Sequence, residues 1–93
     1  MMTYHCYITL YDLRAPGRNY EELYQAIKSY GTWGKLTESA WAIVTTEDCA
    51  QIRDYLMRYI DKNDRIMVIK SGQEAAWNNA IARNDWLQQN LVK

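Results

Sequence analysis

The chain has 93 residues, 48% of them hydrophobic and 24% charged, and its eleven basic side chains are balanced by eleven acidic ones. That length predicts one domain, since autonomous domains run to about 100–150 residues, and the composition excludes disorder. Zero net charge removes the overall basic excess with which nucleic-acid binders neutralise phosphate, and leaves room only for a local basic patch.

Eight Tyr and four Trp occur with no Phe. Both residue types join a large apolar body to a polar handle, which suits half-buried faces and interfaces. Cys6 and Cys49 fall on different predicted elements, with neither metal-like spacing nor a disulfide framework, and His5 is the single histidine. The expectation is a cytoplasmic protein with reduced thiols. The first five residues lack the basic and apolar stretches of a signal peptide, and no apolar run approaches the ~20 residues that span a membrane.

In chain order, Tyr4 to Tyr11 alternates as a strand, with Tyr4, Cys6, Ile8 and Leu10 on one side and His5, Tyr7, Thr9 and Tyr11 on the other. Asp12 to Arg18 contains Pro16-Gly17 and reads as a loop. Asn19 with Glu22 offers a capping box for a helix whose stripe is Tyr20, Leu23, Tyr24 and Ile27, with Gly31 as its stop. Trp33 to Thr37 and Ala40 to Thr45 are short strands joined through Glu38-Ser39. Thr45 and Thr46 offer caps for a second helix with Ile52, Tyr55, Leu56, Tyr59 and Ile60 along one face. After a turn at Asp61-Lys62-Asn63, Arg65 to Lys70 reads as a strand apolar on both sides, the mark of a strand covered on both faces. Glu74 to Leu91 reads as helix, anchored by Trp77, Ile81, Trp86 and Leu87, with a break or cap at Asn84-Asp85.

The order β-α-β-β-α-β followed by a helix predicts an α+β, ferredoxin-like domain over residues 1–93, with its core at 3–70 and a C-terminal helical extension at 74–91. Right-handed crossovers place the first two helices on one sheet face. The other face then needs a cover, for which the C-terminal helix, a second subunit and a stacked base are the choices. Tyr7 and Tyr11 are expected to line that face as part of a dimer interface.

Tyr11-Asp12-Leu13 with Pro16-Gly17, Gly31 and Trp33, Glu38-Ser39 and Trp41, Ile52-Arg53-Asp54 with Leu56, and Asn63-Asp64-Arg65 resemble the small CRISPR-associated adaptation subunit, and more closely its SinR-like branch. Trp77 and Asp85-Trp86-Leu87 fit the same branch, so the resemblance spans nearly the whole chain. It implies a homodimer with facing sheets. It also implies that Asp12 meets its symmetry mate near the two-fold axis, where the pair could hold Mg²⁺ or Mn²⁺ for phosphodiester cleavage. The acidic opening of the first helix and the helical C-terminal segment depart from the adaptation subunit.

Asp12 is therefore the candidate catalytic and metal-binding residue, against the plainer role of a loop aspartate. Ser39 is a weaker catalytic candidate, better explained by the bend. Arg14, Arg18 and Lys35 are candidate phosphate contacts beside Asp12, and Arg53–Asp54 and Asp64–Arg65 are expected ion pairs. Two readings follow: a metal-dependent nuclease built on paired Asp12 carboxylates, or a non-catalytic homodimeric module binding a protein or nucleic acid. Charge balance favours the second.

Overall fold

The computed structural model describes residues 3–15, 19–72 and 74–91. Its elements are β1 (His5–Asp12), α1 (Glu21–Lys28), β2 (Thr32–Thr37), β3 (Ala40–Thr45), α2 (Cys49–Met57), β4 (Arg65–Lys70) and α3 (Asn84–Asn90). The four strands form one antiparallel sheet in the order β2-β3-β1-β4, giving a small α+β fold with three helices.

Strand alternation sorts the sheet into two faces. Tyr7, Thr9 and Tyr11 of β1 are buried on the same side as Trp41 and Ile43 of β3. There the two tyrosines, Trp41 and Ile43 pack with Leu23, Ala26 and Ile27 of α1 and Ile52 and Leu56 of α2 in a single apolar cluster. Tyr7 and Tyr11 therefore belong to the chain's own core, and the expectation that they line an exposed interface is corrected. The physical reason is that α1 and α2 bury aromatic rings against the sheet as readily as aliphatic ones, with Tyr11 spending its hydroxyl locally. That hydroxyl accepts from Trp41 Nε1 at 2.9 Å and donates to the Glu38 carbonyl at 3.3 Å.

The helix starts differ in detail from the sequence reading. Asn19 accepts from the Glu21 N–H at 2.9 Å, but α1 has no side-chain cap. α2 is capped by Asp48, reciprocated by Gln51 in a capping box, rather than by Thr45 or Thr46.

The C-terminal helix is confined to residues 84–90. Asn79 has φ 58°, a left-handed conformation that interrupts a helix. Ile81 and Ala82 donate their N–H groups to the carbonyls of Leu36 (3.0 Å) and Lys35 (2.8 Å), and so close the outer edge of β2. α3 then lies against the second sheet face of its own chain. The Trp86 ring sits where a Cβ on Gly34 would be, 2.8 Å away, and Leu87 and Ala42 are fully buried. Ser71 Oγ ties the far end by donating to the Leu91 carbonyl at 3.0 Å.

This cover is partial. Over β1 and β4 the second face carries Leu10, Met67 and Ile69, which are 36%, 60% and 47% exposed. β4 is thus covered on one face only. Its double-sided apolar pattern combines Ile66 and Val68, packed on the core, with Met67 and Ile69 facing outward.

Candidate functional site

Asp12 closes β1 in step with Ile8 and Leu10, so it stands on the second face at the end of the exposed apolar strip. Its register partner on β4 is Arg65. Arg65 Nη1 donates to Asp12 Oδ2 at 2.9 Å, and Arg14 Nη1 lies 3.6 Å from the same oxygen. All three side chains are about half exposed or more. These guanidinium groups already neutralise the negative charge that the carboxylate would offer a cation. Among the described residues no group of three or more His, Cys, Asp or Glu is arranged to hold a metal ion.

The loop after β1 is fixed from the other side by Asp64, in the turn before β4. Its carboxylate accepts from the backbone N–H of Arg14 (2.6 Å) and Asp61 (2.8 Å) and from the Tyr20 hydroxyl (2.9 Å). Tyr20 in turn accepts from the Ala15 N–H at 3.2 Å. Burial and the hydrogen bond to Asp64 raise the Tyr20 phenol above its usual pKa. Asp64 thus serves as a hub for two loops, and Arg65 turns to Asp12. The expected Asp64–Arg65 pair is replaced by this arrangement, while Arg53–Asp54 forms at 2.9 Å. Sequence spacing did not reveal Arg65 as the partner of Asp12, because the two are brought opposite only by the β1–β4 register.

A shallow hollow of about 300 Å³ opens beside Asp12, lined by Leu10, Tyr11, Asp12, Arg65, Ile66 and Met67. It is apolar at its centre and charged at one rim. The remaining predicted residues do not converge on it. Lys35 lies on the helix-bearing face, 5.6 Å from the Trp41 ring centroid and 3.9 Å from Glu38. Arg14 reaches Asp12 on the second face, so it and Lys35 lie on opposite sides of the sheet and make no shared phosphate patch. Arg18 lies outside the described residues. Ser39 is exposed in the β2–β3 turn, where its carbonyl accepts the Tyr11 N–H at 3.1 Å; this is a backbone role at the end of β1.

No family model and no solved structure matches this chain. Both cysteines are free, and burial pushes the Cys6 thiol up to about 11. Among the described residues no helix is long and apolar enough to cross a membrane.

Proposed function

We propose that the chain is a non-catalytic, homodimeric interaction module on a ferredoxin-like scaffold, cytoplasmic, which pairs with a second copy on the β4 side of its sheet, where the second face is uncovered. The observation that carries this reading is the strip of Leu10, Met67 and Ile69, left in water while α3 covers the neighbouring half of the same face. Contiguous exposed apolar surface rimmed by polar groups marks interaction sites. The strand that carries Met67 and Ile69, β4, stands at the edge of the sheet, where a second copy can reach it. The ferredoxin-like assignment is supported by the strand order and by the two crossover helices sharing one face. Neutral overall charge supports a protein as the further partner over a nucleic acid.

The non-catalytic part of the reading rests on Asp12. A carboxylate held by two guanidiniums is a poor ligand for Mg²⁺ or Mn²⁺, because the dication must displace or oppose both positive charges. Incubation with single-stranded RNA and DNA in the presence of either metal tests it. The expected result is no metal-stimulated cleavage by the intact chain and an unchanged oligomeric state in Asp12→Ala. Cleavage that requires the metal and disappears in Asp12→Ala would overturn it in favour of a nuclease.

A further inference from the structure

We propose that the second copy joins along the free edge of β4, antiparallel to it and about a two-fold axis at Val68, so that two four-stranded sheets become one of eight strands. This deepens the dimeric reading above and rests on it. The argument begins with which backbone groups of β4 face outward.

In an antiparallel ladder, successive residues turn their N–H and C=O groups to opposite sides. Ser71 N–H donates to the Cys6 carbonyl at 2.8 Å, and Tyr11 N–H donates to the Ser39 carbonyl at 3.1 Å. The even residues of β1 therefore face β4, and its odd residues face β3. With the observed register, Arg65, Met67 and Ile69 turn inward to Asp12, Leu10 and Ile8. Ile66, Val68 and Lys70 are left with their N–H and C=O groups directed away from the sheet. Among the described residues, no other segment bonds to them.

The two edges of the sheet are treated differently. The C-terminal segment closes β2 through Ile81 and Ala82. At β4 no such strap is found among the described residues, and Arg65–Lys70 has neither a proline nor a bulge to discourage pairing. Ile66, Val68 and Ile69 are residues that favour extended pairing.

The exposed ladder is complementary to itself. Around an axis at Val68, that residue exchanges two hydrogen bonds with the partner's Val68, and Ile66 exchanges two with the partner's Lys70. Every outward group of the strand is then satisfied. On the second face Met67 falls beside the partner's Ile69, which covers the two most exposed members of the apolar strip on this strand. The charges that ordinarily guard an edge meet no like charge: Lys70 falls opposite the partner's Ile66, and Arg65 opposite the partner's Ser71.

Two measurements test this on the full chain. In hydrogen exchange of the dimer, the amides of Ile66, Val68 and Lys70 are expected to be slowed on the order of 100-fold or more relative to unprotected amides, as for paired strands. Met67 and the partner's Ile69 form a non-hydrogen-bonded pair with Cα atoms about 4.5 Å apart, within the span a disulfide accepts. With Cys6 and Cys49 replaced by serine, an equimolar mixture of Met67→Cys and Ile69→Cys chains should oxidise to a linked dimer several-fold more than either alone. Free exchange at those three amides in a dimer overturns the edge pairing, and so does equal cross-linking by Met67→Cys alone, while the dimeric reading stands. A chain that sediments as a monomer removes both.

Discussion

Thr9 sits between Tyr7 and Tyr11 on β1, fully buried, and its hydroxyl has no hydrogen-bond partner among the described residues. An unsatisfied buried hydroxyl costs about 1–3 kcal/mol, and replacing it with an apolar group of the same shape removes that cost. Thr9→Val is expected to leave stability unchanged or raise it by about 1 kcal/mol in denaturant unfolding; a loss of that size would mean the hydroxyl is satisfied. The phenols behave differently. Burial raises the pKa of Tyr7, Tyr11 and Tyr30 above the usual 10, and for Tyr30 the 2.8 Å hydrogen bond to Glu47 adds to the effect. The folded state binds these protons more tightly than the unfolded state does. Their contribution is therefore fully present below about pH 10 and is lost as pH rises through the raised values. Unfolding free energy measured from pH 7 to 11 should be flat at first and fall near the top, with a shallower fall in Tyr30→Phe. The alternation of Tyr7, Thr9 and Tyr11 was legible in the sequence, but which side faced the helices was not. Period-two patterning separates two faces without labelling them when both carry apolar residues, as Tyr7 and Ile8 do.

Gly34 and Trp86 show what decides the placement of an element. β2 is short and weakly patterned, and its glycine makes the notch into which α3 docks. A methyl group at that position would lie 2.8 Å from the indole. Gly34→Ala is expected to cost about 1–3 kcal/mol as overpacking, and clearly less in a Trp86→Leu background because the two changes share one contact. Equal costs in both backgrounds would mean that α3 is not seated there. The strands and the first two helices were readable because each carries its own periodicity and turn residues. The pattern of the C-terminal segment predicts helix from Glu74, yet only Asn84–Asn90 is helical. Its amides at Ile81 and Ala82 are taken by the edge of β2, and no local pattern encodes a hydrogen bond to a strand more than forty residues earlier.

At the scale of the molecule, the sheet has one face covered by α1 and α2 and a second shared between α3 and open water. Asp12 was legible as the charged end of β1. Its engagement by Arg65 and Arg14 came only from the sheet register and the Asp64-held loop, which join residues about fifty positions apart. The sequence also indicated an apolar surface in need of a cover, and chose the wrong side chains for it: Leu10, Met67 and Ile69 form that surface, while the tyrosines lie inside. Sedimentation of the intact chain across the micromolar range tests the central claim most directly. A self-associating strip predicts a species of twice the chain mass that Met67→Glu returns to single mass, since burying an unpaired carboxylate in an apolar contact costs several kcal/mol. A single-mass species at every concentration, unaffected by Met67→Glu, would contradict it.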